Sequence, residues 1–206
     1  MATFLLVRHG ENDMIGKKLA GRIPDVHLNE KGQAQARQVA AGLAALKITA
    51  VYASPLERAQ ETAEPIARVQ GVPVQTLPEL TEIDFGEWEG KSLARLKSGR
   101  QWKIVQGSPA TFRFPGGESF AEAQARVATG LLKLSEQYDP KDLVVCAAHS
   151  DVLRLAVAHF LELPLDHFQR IRIRPASVTV LYLNSGKGFF GPINYTFDFP
   201  ASEFAN

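Results

Sequence analysis

A single cysteine, Cys146, stands among 206 residues. That excludes an intramolecular disulfide framework and agrees with a reducing compartment. No apolar run approaches the ~20 residues that a membrane-spanning helix needs, and no basic segment followed by a cleavable apolar stretch opens the chain. A cytoplasmic address is therefore expected. Excess charge is missing too: 23 Lys and Arg face 22 Asp and Glu, for a formal net charge of +1. No overall field marks a nucleic acid or an acidic membrane as partner. The five histidines, His9, His27, His149, His159 and His167, are scattered without ligand-like spacing, so no metal is expected; no cofactor is expected either. Internal repeats, low-complexity tracts and linkers are absent. Nothing indicates the oligomeric state.

With 45% hydrophobic residues, the chain can bury a full core, and residues 1–206 are expected to form one domain. Strand and helix signals alternate, which points to an α/β sandwich. Thr3 to Val7 reads as a buried strand. A helix opened by Asn29 as N-cap follows, with Ala34, Val39, Ala40, Leu43 and Leu46 on or near one face. Short strands are expected at Ile48–Tyr52 and Val72–Thr76. Between them, Ser54-Pro55-Leu56-Glu57 reads as a capping box with proline in the first turn. That helix should reach about Val69, with Pro65 kinking or interrupting it.

Residues 77–118 are punctuated by proline and glycine, with one helix expected near Leu93–Val105. Long irregular segments inside compact domains are usually functional, and this one is read as an insertion over a site. Ser119-Phe120-Ala121-Glu122 is a second capping box, starting a helix through Tyr138. Leu143–Ala148 reads as a continuous apolar strand and Ser150–Leu161 as a helix. Ile171–Leu183 reads as one or two further strands, on which Arg170, Arg172 and Arg174 form a solvated face. The Phe-rich tail from Phe189 is expected to pack on the surface.

The first strand ends on Arg8-His9-Gly10, and another ends on His149-Ser150. Open α/β sheets place ligands at the carboxyl ends of their strands. A fixed cation beside a neutral imidazole suits a nucleophile whose target is an anion, and phosphate is the obvious one. The amides of Ser150 and Asp151 begin a helix and favour an anion there. Arg58 lies near the start of a helix that follows a strand, where its guanidinium could grip phosphate in bidentate fashion. Glu82, Asp84, Glu87 and Glu89 lie among Ile83, Phe85 and Trp88. Apolar neighbours raise a carboxyl pKa, as a general acid requires, and composition does not choose among the four.

Other phosphate chemistries fit poorly. After Cys146 the first arginine, Arg154, is too distant for a cysteine phosphatase, and the thiol falls in mid-strand. Gly86-Glu87-Trp88-Glu89-Gly90-Lys91-Ser92 mimics a P-loop, but its glycines are too close together and no buried strand precedes it. There is no Asp-x-Asp for an aspartyl-phosphate enzyme.

Leu6-Val7-Arg8-His9-Gly10-Glu11 resembles the phosphohistidine motif of the histidine phosphatase, or phosphoglycerate mutase-like, superfamily. The resemblance continues in order through Ser54-Pro55-Leu56-Glu57-Arg58-Ala59, Glu82-Ile83-Asp84-Phe85-Gly86, Phe114-Pro115-Gly116-Gly117-Glu118-Ser119 and Ala148-His149-Ser150. It implies a three-layer α/β/α sandwich with a mixed, mostly parallel central sheet. It also implies His9 as the nucleophile, Arg8, Arg58 and His149 around the phosphoryl oxygens, and Glu82 as the proton donor. Where family members often carry Trp-Asn shortly after the histidine, this chain has Met14-Ile15. The isoleucine side chain cannot hydrogen-bond, so that phosphate contact is either lost or supplied by Asn12 or by backbone amides near Gly21-Arg22. Arg22 and Ser150 are further candidate contacts.

The activity implied is a metal-independent phosphomonoesterase, a histidine acid phosphatase-type enzyme, acting on a small phosphorylated metabolite. A cofactor-dependent phosphoglycerate mutase is the alternative on the same scaffold. A catalytically inactive phosphate-binding protein is a third. Trp88, Trp102, Phe112 and Phe114 could cover an aromatic or sugar-bearing leaving group, or simply pack the insertion onto the core.

Overall fold

The computed structural model describes residues 2–184 and 186–197. Its strands are β1 (Ala2–Arg8), β2 (Ala50–Ala53), β3 (Val74–Thr76), β4 (Leu143–Ala148), β5 (Val178–Asn184) and β6 (Lys187–Phe190). Its helices are α1 (Glu30–Leu43), α2 (Glu57–Gln70), α3 (Leu93–Lys97), α4 (Arg100–Gly107), α5 (Phe120–Ser135) and α6 (Ser150–Phe160). The strands form one six-stranded sheet in the order β3-β2-β4-β1-β5-β6. β1, β2, β3 and β4 run parallel, β5 is antiparallel to β1, and β6 is antiparallel to β5. The sheet is mixed and flanked by helices, as expected.

Successive side chains on a strand point to opposite faces, and both faces here are covered. Leu5, Val7, Val51, Val145 and Ala147 pack with Val39, Ala40 and Leu43 of α1 and with Ala63, Ile66 and Ala67 of α2. Phe4, Leu6, Tyr52, Val144, Cys146 and Ala148 face the other way, against α5, α6 and the aromatic residues of the insertion. Burial on both sides explains why β1 and β4 read as unbroken apolar runs. The carboxyl ends of β1 and β4 lie side by side, with Arg8 opposite Ala148. The chain leaves β1 for α1 on one face and leaves β4 for α6 on the other. The resulting crevice is where sheets of this kind bind ligands.

Several local expectations are corrected. Ser54 does not cap a helix: α2 starts at Glu57, its N-cap Leu56 makes no side-chain cap bond, and Pro55 lies outside it. The buried Ser54 hydroxyl bonds to His149 instead. Pro65 does not end α2, which runs on to Gln70 and stops at Gly71 in the left-handed region, φ 67°. Burial of Ala63, Ile66 and Ala67 on either side of the proline holds the helix together. The single helix expected at Leu93–Val105 is split between α3 and α4 at Ser98-Gly99. The second capping box does form, with Ser119 and Glu122 reciprocally bonded, and α5 then stops at Ser135, short of Tyr138.

No strand covers residues 171–177. Ala176 adopts φ 55°, and the amides of Ala176 and Arg8 bond across a turn to the carbonyls of Arg8 and Ser177. Arg172 and Arg174 therefore lie on a loop, and Arg170 ends a short 3-10 turn, Leu165–Arg170. The aromatic tail enters the sheet as β6. Phe197 packs against α1 so closely that a Cβ on Gly42 would meet its ring. Residues 198–206, the rest of that tail, lie outside the described residues. Among the described residues, no helix is long and apolar enough to cross a membrane.

Candidate active site

His9 and His149 each follow the last residue of neighbouring parallel strands. Adjacent strands lie about 4.8 Å apart, and the two ring centroids are 5.3 Å apart, tilted by 57°. The His9 amide donates to the Ala148 carbonyl at 2.9 Å, which continues the β1–β4 pairing into the site. Nδ1 of His9 lies 2.7 Å from the carbonyl oxygen of its neighbour Gly10. A carbonyl only accepts, so Nδ1 carries the proton and Nε2 of the neutral ring keeps its lone pair. Burial, then the charges of Arg8 and Arg58, hold the His9 pKa well below 6.5.

Gly10 is needed for close approach, since a Cβ there would sit 2.6 Å from the Gly32 carbonyl oxygen of α1. Its amide donates to the Thr62 hydroxyl (3.0 Å), which in turn donates to the Arg58 carbonyl (2.7 Å). Thr62 thus ties the end of β1 to the first turns of α2.

Arg58 is the largest fully buried side chain among the described residues, only 1% exposed. Its Nη2 donates to the Gly21 carbonyl at 2.7 Å, and its buried Nη1 has no protein partner. Arg8 is fixed likewise: Nη1 donates to the Ile173 carbonyl at 2.7 Å, while buried Nε is unpartnered. Burial lowers both guanidinium pKa values, that of Arg8 to about 10, so both remain cations at neutral pH. His149, wholly buried, sets Nε2 2.8 Å from the Ser54 hydroxyl and leaves Nδ1 without a partner. Its pKa also lies well below 6.5, through burial and then Arg58.

Glu82 is buried, and its Oε1 accepts from the Ile83 amide at 3.0 Å. Burial, with the nearby charge of Asp151, pushes its pKa up to about 7 against the pull of Arg58 and Arg8. Arg8, His9, Asn12, Ile15, Gly21, Arg58, Glu82 and Ser150 all line one cavity of about 260 Å³. The N-terminus of α6 opens onto it, adding a positive helix end to the two guanidinium groups. The arrangement joins an imidazole of fixed tautomer, guanidinium cations with buried, unpartnered N–H groups and a carboxyl whose pKa is about 7. It can accept an anion, attack it and protonate what leaves.

The other candidates divide. Asn12 lines the cavity, and its carboxamide oxygen accepts from the Met14 and Ile15 amides (3.0 and 3.2 Å). That closes the turn and leaves its NH₂ as the donor. The Arg22 amide is engaged by Glu89 at 2.8 Å. Gly21, at φ 54°, turns its carbonyl to Arg58 and has no room for a Cβ beside the Glu89 carboxylate. The Arg22 guanidinium does not line the cavity. It donates to the Glu82 carbonyl (2.8 Å) and pairs with Glu118 (2.9 Å).

Glu118 is the centre of a clamp that sequence reasoning missed. It takes a two-pronged bond from Arg126, at 3.0 and 2.9 Å, and accepts from the Asp84 amide at 3.1 Å. Arg126 also donates to the carbonyls of Glu79 and Thr81, both at 2.8 Å, so the segment carrying Glu82 is held from behind. Ser54, Thr62 and the Ile173 carbonyl were missed as well. Ser54 serves His149 and the Ile173 carbonyl serves Arg8 through contacts far away in sequence, while Thr62 holds the amide of Gly10 beside His9. Among the described residues, no group of three or more His, Cys, Asp or Glu side chains could hold a metal ion.

The model of the histidine phosphatase superfamily (branch 1) matches residues 4–196. A protein of Cronobacter sakazakii named probable phosphoglycerate mutase GpmB is 35% identical over 182 residues, 87% of this chain and 84% of that protein. Among solved structures, Bacillus stearothermophilus YhfR superposes with TM-score 0.87 at 26% identity, covering 94% of this chain and 97% of that one. A putative alpha-ribazole-5'-P phosphatase from Escherichia coli gives TM-score 0.83 at 26% identity, covering 94% and 96%.

Proposed function

Because the chain belongs to the histidine phosphatase superfamily, branch 1, we propose that it is a phosphomonoesterase that works through a phosphohistidine on His9. The observation that carries this reading is the His9 tautomer. With Nδ1–H bonded to the Gly10 carbonyl, the Nε2 lone pair is left free in a ring that shares its cavity with Arg8, Arg58 and Glu82.

Nε2 attacks phosphorus in line, the N–P bond forms and the ester P–O bond breaks. Glu82, protonated, gives its proton to the departing alkoxide. The resulting carboxylate then takes a proton from water as that oxygen attacks phosphorus. The N–P bond breaks, releasing inorganic phosphate and regenerating His9 and Glu82. Arg8 Nε, Arg58 Nη1 and the Asn12 NH₂ donate to the equatorial oxygens. His149 joins them when the Ser54 hydroxyl donates to its Nε2, because Nδ1 then carries the proton. Asn12 takes over the contact that Ile15 cannot make. Ser150 and Asp151 contribute the positive end of α6. Arg22 acts through Glu82 and does not touch substrate. The chain acts as one cytoplasmic domain on a small phosphorylated metabolite.

Alkaline quenching during turnover of a ³²P-labelled phosphomonoester tests this reading. Wild type should retain protein-bound label that is stable to alkali and lost in acid, and His9→Ala should retain none. Absence of both label and phosphate release across a broad panel would leave a phosphate-binding protein without catalysis. Activity should persist in EDTA, and its loss there would contradict a metal-free mechanism. The relative named as a probable phosphoglycerate mutase supports a second reading. Isomerisation of 3-phosphoglycerate in the presence of bisphosphoglycerate, without release of phosphate, would establish that one instead.

A further inference from the structure

A second cavity, of about 400 Å³, adjoins the catalytic one and shares Leu19, Phe85, Asp151 and Arg154 with it. That volume falls in the range of ~300–1000 Å³ typical of small-molecule sites. Trp88, Trp102, Phe114 and Phe120 supply its apolar wall. The two indoles are stacked, 6.2 Å apart and 17° from parallel, and Phe114 meets Trp88 edge-on at 5.3 Å. Trp88 and Phe114 are buried, so this wall is rigid, whereas Trp102 is only partly buried. At the junction of the cavities, Arg154 Nη1 donates to Asp151 at 2.9 Å, while its buried Nε has no protein partner.

We infer that this cavity receives the alcohol half of the substrate, and that this alcohol carries a flat apolar ring face with a polar edge. The inference rests on the phosphomonoesterase reading above. Aryl groups and the C–H face of a sugar ring share this chemistry, since both lie flat on an indole while their edges bond to a carboxylate or guanidinium. The Asp151–Arg154 pair meets that edge. A short acyclic alcohol such as glycerate leaves the aromatic wall uncovered, and its ester forgoes the remote binding energy that lowers the barrier. The aromatic residues of the insertion thus pack it onto the core and line the leaving-group site with the same rings.

The test compares kcat/KM for 1-naphthyl phosphate, glucose 6-phosphate, ethyl phosphate and 3-phosphoglycerate in wild type, Trp102→Ala and Trp102→Phe. For each substrate the ratio of variant to wild type is used, which cancels differences in leaving ability. Trp102→Ala should lower that ratio at least tenfold more for one of the ring substrates than for ethyl phosphate. Trp102→Phe should restore most of the loss. Whichever ring substrate responds identifies the aryl or the sugar source. Gln106, exposed at the rim of the cavity, gives a second variant independent of the core: Gln106→Trp should exclude the ring substrates selectively. Equal effects on all four substrates, with label still trapped on His9, would overturn the inference and leave the phosphomonoesterase intact. Absence of trapped label would overturn both.

Discussion

At the scale of single residues, burial does opposite things to the proposed nucleophile and the proposed proton donor. It keeps His9 neutral far below pH 6.5 and keeps Glu82 protonated up to about pH 7. Phosphoryl transfer to His9 needs both forms, so kcat/KM for an alkyl phosphate should be flat through mildly acidic pH and fall above about 7. Glu82→Gln should abolish that alkaline limb and slow alkyl esters by roughly 10²–10⁴-fold, the usual worth of general acid catalysis. With 4-nitrophenyl phosphate, whose leaving group needs no proton, the first step should survive. Dephosphorylation then becomes limiting, and a burst of nitrophenol should appear in stopped flow. Arg58 offers an independent check. One of its nitrogens holds Gly21, and another is unpartnered and is proposed to serve the anion. Lysine has a single ammonium for both tasks, so Arg58→Lys should cost about 10²–10³ in kcat/KM.

At the scale of elements, Glu82, the proposed general acid, sits on a segment with little regular structure of its own. Its place is set by close backbone contact with the 114–118 turn. A Cβ on Gly117 would collide with the Asp84 carbonyl oxygen and come within 2.8 Å of the Gly86 amide nitrogen. Backbone atoms cannot swing aside, so Gly117→Ala should push the two segments apart and displace Glu82. The expected result is a large fall in kcat for alkyl phosphates, a much smaller one for 4-nitrophenyl phosphate and little change in KM. A purely structural defect would lower apparent kcat for both kinds of substrate by the same factor, through loss of folded enzyme. The Phe114–Ser119 motif was recognisable in the sequence, and its purpose was not. Its partners, Asp84 and Arg126, lie in other elements, and nothing local in glycine or glutamate reveals a clamp. Ser54 misled for the opposite reason. Its local pattern fits a capping box, but a hydroxyl buried against His149 gains more from that contact than from an exposed helix end.

At the scale of the whole molecule, the order of strands and helices was legible because apolar runs and 3.6-residue periodicities are local. The repeated placing of histidine at a strand end pointed to a shared sheet edge, while the pairing of β1 with β4 itself was not legible. The fold gathers two imidazoles, two guanidinium groups and a carboxyl at that edge, and the cost should appear in stability against pH. Each histidine has a folded pKa below its ordinary 6.5. Below pH 6.5 the unfolded chain therefore binds more protons than the native one, and stability falls as pH falls. Glu82 has a folded pKa near 7, above its ordinary 4.5. Between those values the native state binds the extra proton, so its contribution to stability falls as pH rises through that window. The two effects oppose each other between pH 4.5 and 6.5, and above 7 only the carboxylate penalty remains in full. Glu82→Gln removes that penalty, so the variant should gain more Tm over wild type at pH 8 than at pH 5. His9→Asn should shallow the loss on acidification. Thermal unfolding of the three proteins from pH 5 to 8 measures both slopes. Parallel curves for wild type and Glu82→Gln would show that Glu82 titrates as an ordinary carboxylate, and the general-acid assignment would fall with it.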